Sequence, residues 1–395
     1  MAGAVRLVGI QERRARLGVR HHLAPGARAA SVVEVARDLV GLHGTDPASV
    51  FLAVWARMAA AEVDAIKHAL YEERVLVRIL GMRRTMFTVP LELAPVVQAA
   101  CARAIAVGER RRLLQFLEQG GVARDPERWL SEVEASTVRA LAARGEATAT
   151  ELSEDEPRLR EQLLLAVGKP YEGRQNVSTR VLFLLGAEGR IIRGRPRGSW
   201  TSSQYRWSPI EAWLPGGMAD WPTEAAQVEL VRRWLAAFGP GTAADLKWWT
   251  GLTAGQVKRA LAEVGPVEVD LDGTTGLVLP GDREPVRVAE PWVALLPALD
   301  PTVMGWTGRG WFLGDHGPAL FDRSGNPGPT VWREGRIVGG WAQRKDGEVV
   351  FRLLEDVGAD AVAAVEAEAE RLRAWLGEVR VTPRFRTPLE RELTG

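Results

Sequence analysis

Residues 31–58, SVVEVARDLVGLHGTDPASVFLAVWARM, constrain the fold more than any other stretch. Val32, Val35, Ala36, Leu39 and Val40 recur at helical spacing, as do Val50, Val54, Trp55 and Met58 after the turn His43-Gly44-Thr45-Asp46-Pro47. The pattern predicts two core helices joined by a short polar corner. Gly44 is placed to end the first helix, Pro47 to open the second and Asp46 to cap it. His43, Thr45 and Asp46 then sit together on a rigid turn, which makes them a candidate polar site.

With 395 residues, 46% of them hydrophobic, the chain can bury more than one core. Basic and acidic residues, 51 and 50, nearly cancel, so any nucleic-acid surface must come from local segregation of charge. The basic residues are almost all Arg, the better fork for phosphates and base edges; lysine occurs at Lys67, Lys169, Lys247, Lys258 and Lys345. A single cysteine, Cys101, excludes internal disulfides and multi-Cys zinc sites, and its apolar surroundings place it in the core. His21 and His22, in a turn-like segment with too few further ligands for a metal, read as exposed loop histidines. No signal peptide, membrane span, metal or cofactor is expected, and the chain reads as cytoplasmic.

Along the chain, EVDAIKHALYEE (62–73) is a third amphipathic helix, and RVLVRILGMRRTMFTVP (74–90) is a pair of β-rich runs. Three helices followed by a hairpin is the order of a winged helix. A helical connector at 91–128 follows, and then a repeat. Gly145, Thr148, Glu151 and Leu152 align at a constant offset with Gly239, Thr242, Asp245 and Leu246. In each copy a helix ends at Gly, and a Thr three residues on caps the next helix with an acidic partner. Each copy continues into a third helix (176–189 and 253–265) and a hairpin (190–209 and 266–280). The expected class is therefore α+β. Winged helices at 1–90, 129–215 and 216–284 would be followed by a C-terminal module (285–395) made of a small antiparallel β-barrel-like unit and a C-terminal helix. Its strands are expected in VALLPALDP, WFLG, TVWREGRIVGGWAQ and EVVFRLLE.

The three hairpins differ in charge. The second carries Arg190, Arg193, Arg195, Arg197 and Arg206, interleaved with Trp200, Tyr205 and Trp207. Guanidinium groups there would neutralise phosphates while rings stack on or wedge against bases. The competing assignment puts Trp200 and Trp207 in the hairpin's core with a solvated arginine face. The first hairpin adds Arg78, Arg83 and Arg84. The third, with Glu268, Asp270 and Asp272, should pack on protein or face away from phosphate. Arg110, Arg111 and Arg112 are either an exposed helix face or a phosphate contact. His68 and His316 read as structural or solvent-facing.

The stretch Gly41-Leu42-His43-Gly44-Thr45-Asp46-Pro47, followed by the helix to Trp55-Ala56-Arg57, resembles a motif of the bacterial winged-helix DNA glycosylases of the AlkZ and YcaQ type. Met82-Arg83-Arg84-Thr85, Leu295-Leu296-Pro297-Ala298-Leu299-Asp300-Pro301 and Glu334-Gly335-Arg336-Ile337-Val338-Gly339-Gly340-Trp341 carry further echoes. In that family two positions, Gln-hydrophobic-Gln or Gln-hydrophobic-Asp, hold the water that attacks C1′ of a damaged nucleotide. In this chain they are His43 and Thr45. The resemblance implies a monomer acting on double-stranded DNA and excising alkylated or bulky-adducted purines. His43, Thr45 and Asp46 are chemically adequate: imidazole can orient water, a hydroxyl can relay a hydrogen bond and a carboxylate can face an oxocarbenium ion. The alternative for the corner is that Asp46 only caps its helix and His43 satisfies a backbone carbonyl. The alternative for the chain is a non-catalytic DNA-binding protein or transcription regulator on the same scaffold.

Overall fold

The computed structural model describes residues 5–165, 168, 172–287 and 290–395; Lys169 lies outside them. Strand β1 (Arg6–Leu7) precedes a helix at Ile10–Arg20, and a second helix occupies Val32–Asp38. That second helix is shorter than its apolar pattern suggests. Val40 and Gly41 take φ of 58° and 123°, and the chain leaves as a short strand, β2 (Leu42–His43), before the helix Pro47–Trp55. Gly44 therefore does not end a helix. The Gly41 conformation is one that β-carbon-bearing residues resist, and an added Cβ would lie 2.8 Å from Val89.

The hairpins appear where the alternation placed them: β3 (Leu76–Leu80) with β4 (Met86–Pro90), and, after an additional small hairpin of β5 (Gln162–Leu165) and β6 (Gly173–Asn176), β7 (Ile191–Pro196) with β8 (Tyr205–Pro209). The first and third of these are not separate. One five-stranded sheet runs β2-β4-β3-β7-β8, seamed by Arg78 opposite Arg193. Alternate residues of this sheet enter different cores. Ile79, Phe87 and Ile192 join the larger, while Leu80, Ile191 and Trp207 join a second one with Leu130, Val133 and Leu141.

Both capping boxes form. Thr148 accepts from the Glu151 amide (3.2 Å) and Thr242 from the Asp245 amide (3.1 Å), and each acid bonds back to the threonine amide. Asp245 also accepts from the amides of Thr307 (2.9 Å) and Gly308 (3.1 Å), so the second box anchors the C-terminal module. The acidic hairpin, β9 (Val267–Asp270) and β10 (Thr275–Val278), is extended by β1 in parallel.

The connector spans Leu91–Gln119. Contrary to expectation, it is long and apolar enough to cross a membrane by length and composition. Its apolar residues fill protein core instead: Leu93, Val96, Val97 and Cys101 are buried.

The C-terminal strands, β11 (Val293–Leu296), β12 (Thr330–Arg333), β13 (Arg336–Gln343) and β14 (Val349–Leu353), form an open four-stranded antiparallel sheet in chain order, not a closed barrel. The WFLG segment expected as a strand is a helical turn, Gly310–Leu313. Helices Ala359–Leu376 and Pro388–Thr394 complete the module. Arg57 and Asp300, from two of the motif stretches, form a bidentate ion pair (2.9 and 2.7 Å) with both side chains fully buried, locking this module onto the Pro47–Trp55 helix. His21 is buried and bonds to Thr302 Oγ1 (2.8 Å) and the Ala237 carbonyl (3.2 Å). His22 is buried between the Ala27 carbonyl (2.7 Å) and Asp38 (2.9 Å). Neither is an exposed loop histidine: the distant Ala237 and Thr302 hold His21, and the nearer Ala27 and Asp38 hold His22.

Candidate functional site

Asp46 caps the Pro47–Trp55 helix as its spacing predicts: Oδ1 accepts from the Ala48 amide at 3.1 Å. Its other oxygen accepts from the Arg384 amide at 2.9 Å, contributed by the extended tail before the last helix. The Arg384 guanidinium reaches the Thr45 carbonyl at 3.5 Å. Asp46 is only 6% exposed, and burial raises its carboxyl above the ordinary range although both amides and the Arg384 charge pull it back. The Thr45 hydroxyl is buried without a partner. Asp46 is close enough to Tyr205 of β8 for its charge to act on that phenol, and Arg384 acts likewise on Arg193 of β7. The charges of Asp46 and Arg384 thus reach the second basic hairpin across space.

His43 faces elsewhere. In the sheet it stands opposite Phe87, while Leu42 stands opposite Thr88, and Arg78 opposite both Thr88 and Arg193. Residues paired across strands share a face and successive residues alternate. Thr88, Arg78 and Arg193 therefore lie on one side and His43 on the other, its ring 5.3 Å from that of Phe87. It lines a small cavity with Arg83, Trp249, Pro301 and Met304. Burial, reinforced by the Arg83 charge, lowers its pKa to about 3, so the imidazole is neutral at physiological pH. Its Nδ1 has no hydrogen-bond partner, so no backbone carbonyl satisfies it there.

The basic candidates also divide. Arg84 is bidentate to Glu109 (2.8 and 2.9 Å), and Arg83 lies 4.0 Å from the centre of the Trp248 ring. Arg190 pairs with Glu134 (3.4 Å) and Glu188 (3.7 Å), Arg195 with Glu72, and Arg206 with Glu146 (2.8 Å). Arg110 and Arg112 are held by Glu134 and Glu109. Arg193 packs over the rings of Tyr205 (5.7 Å) and Trp207 (5.1 Å), and Arg197 is exposed; among the described residues neither has a carboxylate partner. Trp200 is not a stacking platform. It is 6% exposed, with ring centroids 4.7 Å from Phe51 and 5.8 Å from Trp375, because the hairpin tip folds into the larger core.

Sequence reasoning did not assign Arg384 or the special position of Arg78. Arg384 lies 338 residues from Asp46, and no local pattern announces the contact. Among the described residues, His22, Glu34 and Asp38 bring metal-ligand atom types within 4.8 Å of one another, but none belongs to the corner.

Comparison with curated proteins finds no match. Among solved structures, the Streptomyces sahachiroi DNA glycosylase AlkZ aligns over 96% of this chain and 99% of that one, with a TM-score of 0.72 and 21% sequence identity. At that identity the likeness speaks to the fold. The family model described as DNA glycosylase AlkZ-like matches residues 36–375, a span that takes in the corner, the five-stranded sheet and the C-terminal sheet. The chain therefore belongs to the AlkZ-like DNA glycosylase family.

Proposed function

We propose that this protein is a monofunctional DNA glycosylase that removes N-alkylated or bulky-adducted purines from double-stranded DNA. It acts as a cytoplasmic monomer on a scaffold of three winged-helix units, with boundaries near 90, 128, 215 and 284. The observation that carries the reading is the buried Asp46 carboxylate, held by the backbone amides of Ala48 and Arg384, in a chain of this family.

An N7-alkylated purine already carries positive charge, so its C1′–N bond breaks to leave a neutral base and an oxocarbenium-like sugar. The protein then has to stabilise that cation and deliver water. Asp46 would do both, its charge facing C1′ while it accepts the proton of the attacking water, with the Thr45 hydroxyl as a further hydrogen-bond partner. His43, neutral and on the other side of the sheet, would support the site through packing. In this chain the first motif position would thereby serve structure rather than chemistry.

The test is incubation of the purified protein with duplex DNA bearing N7-alkylguanine, followed by heat or alkali to cleave abasic sites. Strand breaks are expected, and Asp46→Asn should slow their formation by about 10²–10⁴-fold. The amide can still cap the helix, so folding should persist. The acid limb of the wild-type rate should lie above the ordinary carboxylate range, because Asp46 must ionise against its burial. The burial of His43 favours a second reading, a DNA-binding protein without this chemistry. No product from a panel of small and bulky adducts, with duplex affinity intact, would establish that reading.

A further inference from the structure

Three arginines of this chain have almost no exposed surface, and they are treated differently. Arg16 (1% exposed) is held by Glu12 and Asp282, and Arg57 (0%) by Asp300. Arg78 (2%) has no carboxylate partner among the described residues. One of its nitrogens bonds to the Tyr71 hydroxyl, and its Nε and Nη2 have no partner. Its strand neighbour is another arginine, since Arg78 stands directly opposite Arg193 at the seam of the sheet. Like charges facing across two strands repel, and an unpaired buried charge is strongly unfavourable.

Both guanidinium groups lie over the ring of Tyr205, at 5.0 and 5.7 Å from its centre, and the Tyr205 hydroxyl is also buried without a partner. The Arg384 charge acts on Arg193 from the tail. Tyr71 and Tyr205, both neutral phenols, are the titratable groups packed against Arg78. Asp46 is the nearby carboxylate, and each of its oxygens already accepts a backbone amide.

We propose that Arg78, Arg193 and the Tyr205 hydroxyl form a seat for one phosphate oxyanion. In the working complex this would be the DNA phosphodiester next to the nucleotide presented to Asp46, which rests on the glycosylase reading above. The partly exposed Arg193 forms the entrance, and the buried Tyr205 hydroxyl and Arg78 complete the seat behind it. Aligning the phosphate with unpartnered donors both offsets the repulsion at the seam and fixes the register of the strand relative to the carboxylate.

The experiment uses full-length protein and a duplex with a central stable abasic analogue, in which single phosphates on either side are replaced in turn by uncharged methylphosphonate. One position should weaken wild-type binding by about tenfold. Arg193→Met should weaken binding by a similar factor and lose the sensitivity at that position alone. Uniform small effects at every position, or an Arg193→Met protein as position-sensitive as wild type, would overturn the seat. Inorganic phosphate distinguishes a free anion from the DNA backbone. It should raise the wild-type melting temperature beyond chloride at matched ionic strength, and Arg78→Met, if folded, should not respond. Phosphate that does no more than chloride also counts against the seat. Should no adduct yield an abasic site while the positional pattern persists, the chemistry assigned to Asp46 fails and the seat stands.

Discussion

On one face of the five-stranded sheet His43 lies against Phe87 among apolar side chains; on the other, Arg78 and Arg193 stand opposite each other beneath Tyr205. Both faces hold polar atoms without partners, yet their settings differ. The His43 face belongs to the larger core and shuts its imidazole in as a neutral ring, where an unmade hydrogen bond is a fixed cost of folding. The arginine face keeps charge it does not neutralise, within range of the charges of Asp46 and Arg384. Buried polarity alone therefore does not identify a working site; the difference is that the unmatched charge of the arginine face lies next to the partly exposed Arg193.

The sharpest way to break this contrast is at Trp200, which the sealed side claims. Trp200→Ala should lower unfolding stability by about 3–5 kcal/mol in a denaturant titration, because it leaves a cavity against Phe51 and Trp375. The salt dependence of DNA binding should not change. A Trp200→Ala protein of wild-type stability with weaker binding on all DNA would show that the hairpin tip is a stacking platform and that this side opens.

His43 gives the next largest effect, through pH. Its folded pKa of about 3 lies below the ordinary value of 6.5, so the unfolded chain takes up a proton that the native state refuses. Stability is therefore lost as pH falls below 6.5. Between pH 6.5 and 4.5 the wild type should lose roughly 2–3 kcal/mol more than His43→Leu. Parallel stability curves for the two proteins would mean that the imidazole is reached by solvent, and the two faces would no longer differ.

How far these faces were legible follows from the range of the interactions behind them. The capping boxes at Thr148 and Thr242, the Asp46 cap and the hairpin positions depend on residues a few apart and could be read from spacing. The seam between β3 and β7 could not: it sets Arg78 beside Arg193, more than a hundred residues on, and no local pattern specifies a register between two hairpins. The same holds for His43. A one-residue change in where the preceding helix stops moves every following side chain to the opposite face of the sheet, and the stop came at Asp38 through the turn at Val40 and Gly41. Arg384 and the burial of His21 likewise depend on contacts between distant segments. The charge pattern of the second hairpin was visible, but which arginines were already engaged by Glu72, Glu134, Glu146 and Glu188 was not.

That last distinction supplies the smallest and most selective test. Arg197 is exposed and, among the described residues, has no carboxylate partner, whereas Arg190 is held by Glu134 and Glu188. If the arginine face meets duplex DNA, Arg197→Ala should weaken binding a few-fold on every sequence and reduce the slope of log affinity against log salt by about 0.9, the loss of one neutralised phosphate. Arg190→Ala should leave that slope unchanged, because its guanidinium is already neutralised within the protein and releases no counterion from DNA. An equal change in slope for both would mean that the internal ion pairs open on binding, so that the hairpin's carboxylates act as gates for its arginines. No change for either would place the duplex on another surface, and the contrast between the two faces would then concern stability alone.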